Sequence, residues 1–173
     1  MSKYAVIVEN DESFYNDVTG ESYHYPERYK GILTLGCKVI YYKGRLRESR
    51  FAKGRMAAGA HYFGMGVIGK SRPDPRRGRK DLTCEILNYL PFEIAVPNKV
   101  DGKYYEPAPA RKELAYGFWR TGVRSISEGV YEAILSAAGC RHTPTGPKAK
   151  ALSSSDDDEF TSFQNEGVFG NES

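Results

Sequence analysis

Apolar and polar positions alternate along this chain in short blocks separated by glycine, proline and acidic turns. "KYAVIVE" is an apolar, β-branched run and predicts a first strand. "NDESFYNDVTGES" is polar and turn-rich. "PERYKGIL" has proline where a first helical residue is expected, which predicts a short helix. "TLGCKVIYYKG" reads as a turn and a strand over 38–42. Period-two alternation puts Lys38, Ile40 and Tyr42 on one face and Val39 and Tyr41 on the other. "YFGMGVIGK" predicts a strand over 62–70 whose glycines mark a bulge or a close backbone approach. "LTCEILNYLPFEIAVP" predicts a long strand, or a pair broken near Pro91. "VDGKYYEP" carries an Asp-Gly turn and a short strand.

After "PAPARKE" the period changes to that of a helix. Leu114, Phe118 and Trp119 form an apolar stripe. In "SISEGVYEAILSAAG", Ser127 is the expected cap, Val130, Ile134 and Leu135 the buried side, and Gly139 the end. The sum predicts an α+β fold: a small curled or barrel-like mixed β-sheet flanked by helices. The expected domain is 1–140. Residues 141–173, rich in Pro, Gly, Ser and acids, read as a flexible acidic linker or disordered tail.

Charge sharpens this division. The 173 residues carry a formal net charge of +3. Six of the 22 acids lie in 151–173, which has no Lys or Arg. Residues 1–150 therefore hold 25 basic and 16 acidic side chains, a net of +9. Such a balance favours a polyanionic partner. The cations cluster. Residues 43–55 hold Lys43, Arg45, Arg47, Arg50, Lys53 and Arg55 against Glu48. Residues 70–80 hold Lys70, Arg72, Arg76, Arg77, Arg79 and Lys80 against Asp74. Both stretches read as loops at opposite ends of one strand, two arms suited to phosphate contacts. The alternative for each is a solvated charge run.

Enzyme signatures are missing. The three histidines are not at metal-ligand spacing, and the cysteines Cys37, Cys84 and Cys140 include no CxxC pair. GxSxG, HExxH and P-loop patterns do not occur, and "GMGVIG" lies inside a strand with no helix opening after it. Glu85 and Glu93 sit in strand-like segments and could face a pocket, but edge or surface carboxylates are the commoner case. The expectation is a non-enzymatic recognition domain with no metal and no cofactor. There is no signal-peptide pattern and no apolar run near 18 residues, so no membrane partner is expected, and the spaced cysteines suit a reduced, cytoplasmic setting.

The densest aromatic cluster is "SYHYPERYKG", residues 22–31. Tyrosine packs through its ring and bonds through its hydroxyl, so the cluster is either core or a platform for a flat ligand.

The order of these motifs resembles the PUA-like superfamily, in particular its EVE, YTH and SRA-like branches. "YAVIVEN", then "YHYP", then "GCKVIYYKG" (similar to the family's GDxVxFY element), then "YFGMGVIGK" (similar to GIGxI) follow the family order. "FWRTGVRSISEGVYEAILSAAG" resembles the closing segment of EVE-like modules fused to restriction nucleases. The resemblance implies a small barrel whose pocket takes one nucleobase, flipped from double-stranded DNA: methylated or hydroxymethylated cytosine, or N6-methyladenine. It further implies fusion to, or partnership with, a nuclease or NTPase domain of a modification-dependent restriction system. A reader of modified or structured RNA with the same fold is the alternative. Where EVE and YTH modules have a cage tryptophan, this chain has Tyr23, His24 and Tyr25. The implied base pocket comprises these three with Asn10 and an aromatic at Tyr41 or Tyr42; Trp119, in a helix-like segment, is a further candidate for the cage, its alternative being a core residue. Flipping costs a few kcal/mol, and stacking on aromatic rings returns about 1–3 kcal/mol per base.

Overall fold

A computed structural model of the chain describes residues 3–12, 17–74 and 80–140. All the described elements lie in the unit Met1–Cys140. The expected acidic tail lies outside the described residues, as do Arg76, Arg77 and Arg79.

The first apolar run forms β1 (Tyr4–Val8). The aromatic cluster forms β2 (Ser22–Pro26), and "KVIYYK" forms β3 (Lys38–Lys43). The two longest strands are β4 (His61–Asp74) and β5 (Asp81–Pro97), joined as a hairpin. A small hairpin, β6 (Lys99–Val100) and β7 (Lys103–Tyr104), turns on Asp101 and Gly102, both at positive φ, as Asp-Gly turns require. Helix α1 (Lys112–Arg120), strand β8 (Val123–Ser125) and helix α2 (Glu128–Ala137) complete the order. Ser127 caps α2 by accepting from the Val130 N–H at 3.2 Å, and Gly139 ends it at φ +76°.

Six strands form one mixed sheet in the order β2-β5-β4-β3-β1-β8. β1 and β3 run parallel, with Tyr4 beside Lys38 and Val8 beside Tyr42; the other neighbours are antiparallel. The chain thus adopts the α+β fold with a curled mixed sheet and flanking helices that its pattern predicts. The curl has a visible cause. Register shifts occur along β4 and β5, where a Cβ on Gly64 would come within 2.8 Å of the Tyr89 ring. Bulges of this kind bend a strand and sharpen its twist. The bending brings the sheet's two edges together, and the Tyr23 hydroxyl on β2 reaches the carbonyls of Val8 (3.0 Å) and Gly122 (3.2 Å).

Two cores follow from the alternation. Inside the curl pack Ala5, Ile7, Tyr23, Tyr25, Val39, Tyr41, Phe63 and Ile86. On the outer face Val6, Ile40, Tyr42, Tyr62, Phe92 and Val96 pack beneath Tyr131, Ile134 and Leu135 of α2. The split of Val39 and Tyr41 from Ile40 and Tyr42 is the predicted one.

Two sequence expectations are corrected here. The helix expected at "PERYKGIL" is one 3-10 turn, Glu27–Tyr29, because Pro26 still belongs to β2 and Tyr29 and Leu33 are drawn into the interior core. The second basic stretch is not a loop from Lys70 on: its described residues 70–74 are still strand, because β4 runs on to Asp74. Of the two readings of "LTCEILNYLPFEIAVP" the single long strand is the one found; it absorbs its irregularity in register shifts, with Asn88 at φ +53°. β8 went unpredicted because three residues are too few to show a period.

Candidate functional site

The end of β1, strand β2, the loop after β3 and the α1–β8 connection surround a cleft of about 720 Å³. It opens beside the seam where the sheet edges meet. Its border includes Asn10, Tyr23, His24, Tyr25, Tyr42, Arg45, Arg47, Arg55 and Trp119 of the predicted site.

Tyr23 and Tyr25 point to the same face of β2, with their rings 6.4 Å apart and 17° from parallel. They are only 6% and 1% exposed. Each hydroxyl is engaged: Tyr23 on the seam carbonyls, Tyr25 on Ser71 Oγ at 2.8 Å. Burial pushes the pKa of both hydroxyls up, keeping them neutral donors. They are core residues that also form the back of the cleft, so the two readings of the aromatic cluster coincide in these side chains.

His24, between them in sequence, points the other way. Its Nδ1 is 3.2 Å from Asp74 Oδ2 and its Nε2 3.0 Å from Asp81 Oδ2. The ring ties β2 to the turn end of the β4–β5 hairpin. Tyr41 does not border the cleft. It is buried against Phe63 and Tyr89, with both ring centroids at 5.3 Å, and its hydroxyl accepts from the Gly20 N–H. Asn10 is exposed at the cleft's edge.

Tyr42 and Trp119 form the cleft's aromatic platform on the outer-core side. Their rings lie 5.7 Å apart and 23° from parallel. Beneath them is Arg124, whose guanidinium lies 4.7 Å from the Tyr42 centroid and 5.1 Å from that of Trp119. The same guanidinium forks onto Glu106 at 2.6 and 2.8 Å, and Tyr62 donates to Glu106 at 2.8 Å. A bidentate, doubly supported ion pair of this kind holds fixed geometry. It sets where Trp119 stands. Burial raises the Tyr42 hydroxyl to about 12, against the opposing pull of Arg124.

The predicted cations divide into two kinds. Arg55 is turned inward, its side chain 2% exposed, pairing with Asp11 and donating to the carbonyls of Gly44 and Ala57. It staples its own loop. Lys43 also pairs with Asp11, at 3.4 Å. Arg45 and Arg47 are exposed and border the cleft. Arg50 pairs with Glu48 and Glu12 on the surface, and Lys53 is exposed. Arg72 and Lys80 are exposed at the far end of the β4–β5 hairpin, where the Glu27 N–H donates to the Lys80 carbonyl. Arg28 and Arg120 join the rim.

Two acids at the cleft escaped the sequence reading. Glu9 accepts from Thr19 Oγ1 at 2.6 Å through Oε1, while its Oε2 is buried with no hydrogen-bond partner among the described residues. Burial pushes the Asp17 carboxyl up to about 6; His24 opposes the shift, and Glu9 and Asp74 add to it. Both acids sit at a strand end or turn, where a carboxylate ordinarily meets water, so the sequence held no signal for them. Glu85 and Glu93, the carboxylates considered instead, are exposed and away from the cleft.

Among the described residues no group of three or more His, Cys, Asp or Glu could hold a metal ion, and no helix is long and apolar enough to cross a membrane. No family model matches the chain, and no curated protein matches it. Among solved structures the chain is similar to the N-terminal domain of Staphylothermus marinus McrB, with 16% identity, 78% of this chain and 94% of that chain covered, and a TM-score of 0.49.

Proposed function

We propose that this chain is a PUA-like DNA-binding module that reads one modified base, flipped out of a duplex into the cleft beside the β1–β2 seam. The observation that carries the reading is the layering of that cleft. Its back is aromatic, one side is the Tyr42–Trp119 platform, and its rim carries Arg28, Arg45, Arg47 and Arg120. A cleft of about 720 Å³ is in the size range that encloses small planar ligands. A flipped base gains stacking on the platform, and the rim cations meet the phosphates on either side of it. Arg72 and Lys80, at the far end of β4, extend the phosphate track along the duplex. Methylated or hydroxymethylated cytosine and N6-methyladenine are the bases that fit the proposal. The module binds and does not catalyse. Residues 141–173 are the acidic linker toward a nuclease or NTPase partner in the cytoplasm.

The test is fluorescence anisotropy at two salt concentrations. The ligands are matched short duplexes carrying cytosine, 5-methylcytosine, 5-hydroxymethylcytosine, adenine or N6-methyladenine, with single-stranded RNA alongside. One modified duplex should bind about tenfold tighter than its unmodified match, and Trp119→Ala should abolish that preference while the protein stays folded. Equal binding to every duplex would leave only nonspecific phosphate contacts. Tightest binding to the RNA would move the reading to the RNA alternative.

A further inference from the structure

Among the described residues none of helix α1 is buried. Leu114 and Tyr116 stay 57% and 61% exposed, and Val100 and Tyr104 of the β6–β7 hairpin are exposed as well. Large apolar side chains gathered on a surface mark a contact site. Lys112, Tyr116 and Arg120 stand at i, i+4 and i+8 and form one exposed stripe down the helix. The Arg120 guanidinium lies 5.1 Å from the Tyr116 ring centroid and donates to its hydroxyl at 2.7 Å. The stripe ends at the cleft, whose rim includes Arg120. The hairpin reaches the same cleft wall: the Tyr104 ring is 5.0 Å from that of Trp119, and Lys99 Nζ is 5.1 Å from the Tyr104 centroid. The other end of α1 is electropositive too. Arg111 at its N-cap makes no side-chain hydrogen bond to the first turn, and Arg111 and Lys112 stand where the helix dipole disfavours cations. An anion bound at that end relieves both.

We propose that α1 and the β6–β7 hairpin form a second contact surface, which takes the DNA backbone on one flank of the seated nucleotide. The proposal rests on the base-reading function above and adds a surface that neither basic arm includes. Lys112 lies about 12 Å along the helix from Arg120. That is the rise of roughly three to four nucleotides of one strand, so the stripe follows the strand outward from the cleft. The cations meet phosphates, and the Tyr104 and Tyr116 rings pack on the sugars between them. Charge decides the occupant. Over residues 99–120 the exposed cations Lys99, Lys103, Arg111, Lys112 and Arg120 are balanced only by exposed Asp101 and Glu113, because Glu106 is buried on Arg124. An isologous contact with a second copy of this chain would set the same cations against one another.

The probes are short duplexes centred on 5-methylcytosine or N6-methyladenine, each with its unmodified match. In further duplexes the phosphates within about four nucleotides of the modified base, on one side or the other, are replaced by uncharged methylphosphonates. Binding is read by anisotropy across a salt series. Lys99→Gln combined with Lys112→Gln should reduce the salt dependence by about two phosphate contacts and weaken binding about tenfold at low salt. This double variant should lose its sensitivity to neutral linkages on one side of the base and keep it on the other. Its preference for the modified base should equal the parent's, since neither residue borders the cleft. Tyr116→Ala should weaken modified and unmodified duplexes alike, by about threefold. The parent's salt dependence and two-sided sensitivity in the folded double variant overturn the proposal. So does a parent that sediments as a dimer with a monomeric Tyr116→Ala, which gives the face to a second copy. A parent that prefers neither modified duplex overturns the base reading instead, a result on which the salt dependence and the one-sided sensitivity do not depend.

Discussion

The Arg124 guanidinium lies 5.1 Å from the Trp119 ring centroid while its fork holds the buried carboxylate of Glu106. One side chain thus links the outer core to the aromatic side of the cleft. Arg124→Met keeps much of the packing but leaves Glu106 buried without its partner, with only the Tyr62 hydroxyl remaining. The expected loss is about 3–5 kcal/mol in urea unfolding, with a red shift of Trp119 emission as its support loosens. A loss under about 1 kcal/mol would show that the pair does not hold the platform.

The seam across the curled sheet depends on one hydroxyl. Tyr23→Phe keeps the ring in the interior core and removes the bonds to Val8 and Gly122. Stability should fall by roughly 1–2 kcal/mol. Hydrogen exchange should quicken in β1 and β8 more than in β4 or β5. Uniform exchange changes would mean the edges are held by packing alone.

Asp17 makes the fold pH-sensitive. In the unfolded chain its carboxyl ionises near 3.8; in the fold it does so near 6. Between these values the unfolded state has released a proton that the folded state keeps. Its stabilising contribution is therefore fully present below 3.8 and lost as pH rises through about 6. Asp17→Asn removes that loss. The variant should exceed the parent by roughly 1–2 kcal/mol at neutral pH, with the difference vanishing below the ordinary carboxylate pKa. Urea midpoints at acidic and neutral pH give the answer, and a gain of equal size at both would exclude Asp17 as the cause.

Arg45 and Arg55 belong to one basic loop and should behave oppositely. Arg45→Ala removes an exposed cation. It should leave the melting temperature unchanged and reduce the salt dependence of DNA binding by about one phosphate contact. Arg55→Ala removes the inward staple onto Asp11, Gly44 and Ala57. It should lower stability by about 2–4 kcal/mol. Similar effects of the two changes, read by calorimetry and salt titration, would contradict the division between loop staple and exposed rim.

Local pattern alone determined the elements of this protein: β1, the two faces of β3, the glycine-marked irregularity of β4, the Asp-Gly turn and the capped helix α2. These follow from period, β-branching and turn chemistry, which act over a few residues. The basic arms and the aromatic cluster were also legible, because charge density and side-chain type survive any fold. Only the tertiary structure decided what each of them does. Tyr41 and Tyr42 are adjacent in sequence, yet strand alternation sends one into the interior core and brings the other to Trp119 at the cleft. Arg45 and Arg55 read alike as cations, yet a nearby Asp11 and two carbonyls draw one inward. Glu9 and Asp17 read as turn acids, yet the curl of the sheet places them at a cleft where water no longer solvates them fully. A side chain's burial and partners depend on contacts far away in sequence, made only when the sheet closes, and no local pattern encodes them.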